Sequence, residues 1–279
     1  MKLVFIADAF VDQILGGGEI NNDELIKIFR ADGHEVKTIN SPLVSKDFID
    51  NNDNFIIANF VGLSAQVKNA LQTKKYIIYE HDHKYLRQRN PALYEDFLAP
   101  RQEIINYEFY KNARAILCQT SFHKNIVENN LKLDNIKSVG GNLWNADSLD
   151  LMESLSSLYK GSKCSIMDSP IAHKNTDEAI KYCIGSNQEY ELIRDNDYHS
   201  FLKKLGANEK FVFFPKTPET LSRVIVEARM MGVVVITNKL VGATKEEWFS
   251  LKGKELIDYM RRKKKNIAEM VLEFLGEKK

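Results

Sequence analysis

The sequence predicts an α/β protein with parallel sheets, and two stretches predict it. Near the start, residues 2–7 are an apolar strand, Leu15-Gly16-Gly17-Gly18-Glu19 is a glycine-rich turn, a helical pattern covers 23–31, and Gly33-His34-Glu35-Val36 opens a second strand. Strand, glycine-rich turn, helix and strand in that order open a Rossmann-like unit. The order returns late in the chain. Residues 211–214 are an apolar run too short for a helix, Thr217-Pro218 is a helix start, the helical pattern ends at Gly232, and 233–237 is a strand. With 279 residues and 44% hydrophobic content, the chain can bury a core in each of two modest domains.

The late stretch carries the most chemistry. Thr217 is placed to cap the helix and Pro218 fits its first turn, which sets Glu219 beside free backbone N–H groups and the positive end of the helix dipole. A helix start of this kind receives anions. Glu219 and Glu227 enclose seven residues, so on one helix the second carboxylate lies two turns deeper and about 80° round the axis. They are too far apart for a close acid pair and are suited to reading two parts of one long polar ligand. The alternative is a pair of solvated helix carboxylates.

The pattern Pro215, Glu219, Glu227-Ala228 and Gly232 before Val233-Val234-Val235 resembles the donor-binding segment of family 4 glycosyltransferases, retaining enzymes of the two-domain GT-B fold. The resemblance implies two Rossmann-like domains with parallel sheets facing a cleft. Residues 1–147 are the expected N-terminal acceptor domain, and 148–279 the donor domain, whose last helix crosses back. By the same resemblance Glu219 contacts the donor sugar as a catalytic residue and Glu227 holds the ribose hydroxyls of a nucleotide sugar. The family has Gly-Phe-Gly after its first Glu where this chain has Thr220-Leu221-Ser222. Thr220 and Leu221 therefore stand where the family's backbone approaches the diphosphate, and Arg223 is a further cation for it.

The rest of the chain supplies other candidates. Gly16, Gly17 and Gly18 let backbone approach a phosphate or sugar but lack the spacing of the dinucleotide fingerprint; a Gly-Gly-x-Glu turn after the first strand is also typical of the family. A strand at 75–79 ends in Glu80-His81-Asp82-His83, and open α/β sheets bind ligands at such strand ends. Imidazoles there can bind metal, act as bases or hydrogen-bond sugar hydroxyls. No third ligand supports a metal site, and the resemblance points to His81 as the catalytic residue beside the donor sugar. Lys84, Arg87 and Arg89, interleaved with aromatics, are the candidate acceptor contacts. His123 and Lys124 read as surface residues at a helix start.

In the second half, a strand at 162–167 leads to a loop with Lys174, a point charge suited to a phosphate. The family commonly has an Arg and then Lys-Gly in this loop; here the Arg is missing and Asn175 replaces the Gly. Asp195-Asn196-Asp197 imitates a metal-binding Asp-x-Asp but reads better as a turn and helix cap. Cys118, Cys164 and Cys183 have no pairing pattern and read as buried thiols. The basic run at 261–265 reads as a solvated helix face, or as a patch for a membrane or DNA.

A net charge of +1 excludes global attraction to polyanions, and no apolar run approaches the length of a membrane span. The expectation is a cytoplasmic enzyme, with a peripheral membrane position as a further expectation. By resemblance it moves a sugar from a nucleotide-diphosphate donor, a UDP- or GDP-sugar, with retention and without a metal or any other cofactor. The acceptor is a glycan, a lipid-linked sugar or a hydroxymethylated base in DNA, and no stable protein partner is expected. The alternative is a nucleotide-sugar-binding protein without turnover.

Overall fold

The computed structural model describes residues 1–276. The chain divides into two compact units, Met1–Leu143 with the chain from Lys263 onward, and Trp144–Arg262.

Unit 1 is built on strands β1 (Lys2–Ala7), β2 (Glu35–Asn40), β3 (Asn54–Ile57), β4 (Lys75–Glu80), β5 (Ile116–Cys118) and β6 (Ile136–Ser138). They form one parallel sheet in the order β2-β1-β3-β4-β5-β6. Its helices are α1 (Gly17–Ala31), α2 (Lys46–Asp50), α3 (Ala65–Leu71), α4 (Tyr107–Lys111) and α5 (Ser121–Leu131). Strands covered on both faces read as continuous apolar runs because alternate side chains enter opposite cores. Val4, Ile6, Phe55, Ile57, Tyr76 and Ile78 pack with Val67, Leu71, Phe109, Tyr110, Val127 and Leu131. Leu3, Phe5, Ile56, Ile77 and Tyr79 pack on the other face with Leu25, Ile26 and Phe29 of α1.

Unit 2 begins with α6 (Ala146–Ser156) and continues through β7 (Gly161–Met167), α7 (Thr176–Gly185), β8 (Tyr190–Ile193), α8 (Tyr198–Gly206), β9 (Asn208–Phe213), α9 (Arg223–Met230) and β10 (Val234–Thr237). Its sheet is parallel in the order β10-β9-β7-β8. Phe211 and Phe213 pack with α6, α8 and α9, while Cys164, Ile166 and Val212 pack with Ala179 and Cys183 of α7. All three cysteines are buried free thiols. Helix α10 (Gly253–Leu275) serves both cores, through Leu256, Ile257 and Met260 in unit 2 and through Ile267, Ala268, Val271 and Leu275 in unit 1.

Two helices start where the sequence does not suggest. α1 begins at Gly17, so the glycines form the helix start itself, with Gly16 as an N-cap that supplies no side-chain bond. α9 begins at Arg223, not at Pro218. The N–H of Glu219 goes instead to the Leu240 carbonyl at 2.8 Å, and the Glu219 and Leu221 carbonyls accept from Gly242 and Ala243. That ladder engages the backbone groups a helical turn would need, so the long-range pairing overrides the local start signal. The basic run of α10 is not simply solvated either. Arg261 pairs with Asp150 and Glu153 of α6, and Lys264 pairs with Glu24 of α1.

Candidate functional site

In unit 2 the loop after β7 and the loop after β9 are stitched together at the carboxyl ends of their strands. Lys216 N–H donates to the His173 carbonyl at 2.9 Å, and the Asn175 side-chain amide donates to the Phe214 carbonyl at 2.9 Å. Asn175 has φ +61°, the left-handed conformation that Asn tolerates best after Gly. Asn175 is thus compatible with the backbone conformation this turn requires. The stitching brings Lys174 to Glu219, with Nζ 2.8 and 3.0 Å from the two carboxylate oxygens. The pair is only partly exposed, and the Lys174 ammonium also lies 5.8 Å from the centre of the Phe213 ring.

Glu219 therefore stands on an extended segment and Glu227 on the second turn of α9, which replaces the single-helix geometry expected from their spacing. Leu221 is core, and Thr220 lies beside it in the loop. Glu227 is buried and accepts from the Trp144 indole N–H and the Tyr198 hydroxyl. Arg223 turns inward to Glu227, 3.3 Å from it, and its guanidinium stacks on Trp144. This placement ties Arg223 to Glu227 rather than leaving it as an open cation for the diphosphate.

Ser222 precedes α9 at φ +71°, a conformation that glycine adopts freely, and its hydroxyl is buried without a partner. It stands where the resemblance places the second Gly of Gly-Phe-Gly. Ser222→Gly should therefore raise the unfolding free energy by about 1 kcal/mol, measured by urea denaturation. Ser222→Ala, which keeps the Cβ, should recover less.

In unit 1 the turn after β4 is the chemical centre. His81 is held at both ring nitrogens: Nε2 lies 2.6 Å from the Asn22 carbonyl oxygen and Nδ1 3.1 Å from the Gln119 amide nitrogen. The amide of Gln119 donates, so Nδ1 accepts and Nε2 carries the proton. Gly18 lies against the ring, since a Cβ there would sit 3.6 Å from Cγ. His81 is thus an oriented neutral imidazole and not an open base. Burial, aided by the Lys84 charge, depresses its pKa to about 3.

Lys84 overturns the expectation of a surface acceptor contact. Its side chain is 2% exposed and its ammonium donates to Glu80 at 2.6 Å and to Asp82. Tyr110 donates to the other oxygen of Glu80. Burial alone would weaken the Lys84 charge, but Asp82 and Glu80 outweigh it and leave the pKa raised. Burial pushes the Glu80 carboxyl up to about 7 against the pull of Lys84, whereas for the less enclosed Asp82 burial is outweighed by the Lys84 charge together with hydrogen bonds to Lys84 and Glu80, and the pKa is lowered. Arg87 and Arg89 remain exposed, each near a carboxylate, Glu103 and Asp82 respectively.

His83 and His123 complete the cluster, their rings edge to face at 5.1 Å. Gln119 N–H donates to Nδ1 of His123, whose Nε2 faces the Asp82 carbonyl at 3.0 Å. Burial lowers the pKa of His83 to about 4 and that of His123 well below its ordinary value. Histidines that stay neutral when folded but protonate when unfolded cost stability as pH falls from about 6.5 through the depressed values. The melting temperature should accordingly drop between pH 7 and pH 5, and less steeply in His83→Phe.

Asp197 caps α8 by accepting from Ser200 N–H, and Asp195 accepts from Asp197 N–H and pairs with Lys204. Both are occupied as turn and cap, and no cluster of metal-ligating side chains occurs among the described residues. Trp144, Tyr198, Asn22, Gln119 and Tyr110 are the site-forming residues that the sequence did not reveal.

No family model and no curated protein matches the sequence. Solved structures do match along almost the whole chain. A Rickettsia africae glycosyltransferase matches with TM-score 0.54 and 14% identity, over 98% of this chain and 93% of that one. Anabaena HepE, in complex with UDP-glucose, matches with TM-score 0.55 and 11% identity, over 99% and 94%. An α-glucosyltransferase, in complex with UDP and a 13-mer DNA containing an HMU base, matches with TM-score 0.52 and 11% identity, over 99% and 95%. The chain accordingly has the GT-B fold, with one six-stranded and one four-stranded parallel sheet.

Proposed function

We propose that this chain is a glycosyltransferase that moves a sugar from a nucleoside diphosphate sugar, a UDP- or GDP-sugar, to an acceptor hydroxyl with retention. The observation that carries the reading is the Lys174–Glu219 contact, formed by loops at the carboxyl ends of β7 and β9. Ligands of open α/β sheets gather at such strand ends. The two side chains neutralise each other. With donor bound, the diphosphate takes the ammonium and the sugar hydroxyls take the carboxylate. Glu227 receives the ribose.

In the transfer, the bond from C1 of the sugar to the terminal phosphate oxygen breaks and its electron pair leaves with the diphosphate. The acceptor oxygen bonds C1, and its proton is taken up by the departing phosphate. Lys174 offsets the charge that develops on that leaving group, the role a preorganised cation performs best in a site of low dielectric. Structural relatives that hold UDP or UDP-glucose support the choice of donor class.

The acceptor class follows from salt dependence. A hydroxymethylated DNA base would bring phosphate contacts to Arg87 and Arg89, and transfer would weaken steeply with salt. Transfer to a glycan or lipid-linked sugar would not. Burial of Lys84 removes one cation from the DNA reading, which favours the sugar acceptor.

The test of donor binding is a thermal-shift screen of UDP, GDP, ADP and their sugars. A ligand that binds only the folded chain raises its melting temperature. One nucleotide series should shift wild type and shift Lys174→Ala far less. No shift with any member at millimolar concentration would overturn the reading.

A further inference from the structure

Glu227 is 2% exposed, and its carboxylate is fixed from three directions. Oε1 accepts from the Trp144 indole at 2.9 Å and from the Tyr198 hydroxyl at 2.5 Å, and lies 3.3 Å from Nε of Arg223. The three donors also brace one another. The Arg223 guanidinium carbon stands 4.5 Å from the Trp144 ring centre, and a terminal guanidinium nitrogen donates to the Tyr198 oxygen at 3.3 Å. Burial, with the Glu227 charge adding to it, raises the Tyr198 pKa, so its hydroxyl remains a donor. A carboxylate oxygen has two lone pairs, so three donors saturate Oε1. None of these three contacts engages Oε2.

We propose that Trp144, Tyr198 and Arg223 are positioning residues that occupy Oε1 of Glu227 and present Oε2 alone to the ligand, so that the carboxylate reads one hydroxyl of the ribose diol and not both. The inference rests on Glu227 as the ribose contact and adds how that contact discriminates. A carboxylate with both oxygens open takes a vicinal diol through two hydrogen bonds. One with a single open oxygen weights the two hydroxyls unequally.

The experiment is calorimetric titration of wild type, Tyr198→Phe, Trp144→Phe and Glu227→Gln with UDP, 2′-deoxy-UDP, 3′-deoxy-UDP and inorganic pyrophosphate. The guanosine series replaces the uridine series if GDP is the nucleotide that binds. Wild type should lose about tenfold in affinity for one deoxy analogue and less than about threefold for the other, the span expected of one hydrogen bond to a charged group kept or lost. Tyr198→Phe and Trp144→Phe should each weaken nucleotide binding several-fold and narrow the gap between the analogues, because Oε1 is released. Pyrophosphate should bind all four proteins alike, which reports that the phosphate-binding loops remain folded. Equal losses for both analogues in wild type would overturn the proposal, as would unchanged nucleotide affinity in both Tyr198→Phe and Trp144→Phe. Either result would leave the ribose assignment standing provided Glu227→Gln binds nucleotide weakly. Nucleotide binding as strong in Glu227→Gln as in wild type would overturn that assignment and the proposal with it, and so would a wild type that binds no nucleotide.

Discussion

Replacing Lys84 by methionine is expected to lower the unfolding free energy by about 3–5 kcal/mol in mildly alkaline solution, where Glu80 of the wild type is ionised, because it leaves a buried carboxylate without its counter-charge. Glu80 would keep only the Tyr110 hydroxyl and the Asp82 N–H. The loss depends on pH in a definite direction. Glu80 already titrates at about 7 in the folded chain, and removing Lys84 raises it further, above its value of about 4.3 when unfolded. Below the wild-type folded value Glu80 is neutral in both folded proteins, so its share of the deficit disappears. As pH rises through the folded value the buried charge must form, and the deficit grows. Asp82 acts in the same direction, since Lys84 favours its ionised form only above the ordinary Asp range. Urea denaturation of wild type and variant at several pH values checks both amount and sign. Arg89→Ala, on the exposed side of Asp82, should change stability by less than about 0.5 kcal/mol.

Lys174→Ala is the variant with the largest expected effect on turnover. It should lower kcat/KM by about a hundredfold, the usual scale for removing one preorganised charge partner of a transition state. Its effect on stability should be under about 1 kcal/mol, because the pair with Glu219 is partly solvated. Glu219→Gln should lower kcat while nucleoside diphosphate binds as well as before or better, since the carboxylate no longer competes for the ammonium. Steady-state kinetics with varied donor separates the two variants. A Glu219→Gln protein with weakened binding of the free diphosphate would contradict the exchange of partners proposed for Lys174.

The element order was legible because it is written locally. The apolar runs that become β1, β4 and β9 alternate between two buried faces, and Gly232 at φ +76° closes α9 as a positive-φ glycine should. The resemblance singles out Lys174 and Glu219 one by one, and the fold adds that they touch. The start of α9 was not legible, because its decisive bonds run from residues 219–221 to residues 240–243. Local cap chemistry gives way to a ladder that no window over Thr217 contains. Lys84 was misread for a similar reason. A lysine among arginines and tyrosines looks like a surface patch until Tyr110 closes the pocket over Glu80. Trp144 and Tyr198 meet Glu227 from 83 and 29 residues away, and neither sits in a recognisable motif.

The measurement that tests the central claim most directly needs no acceptor. Purified protein is incubated with a panel of UDP- and GDP-hexoses, and the anomeric protons are followed by NMR as water takes the acceptor's place. The account predicts slow release of nucleoside diphosphate from one donor, abolished in Lys174→Ala, with the first free sugar carrying the donor's own anomeric configuration. Release with inverted configuration would contradict retention. A chain that releases no nucleoside diphosphate from any donor and binds none of the nucleotides would contradict the assignment of glycosyl transfer itself.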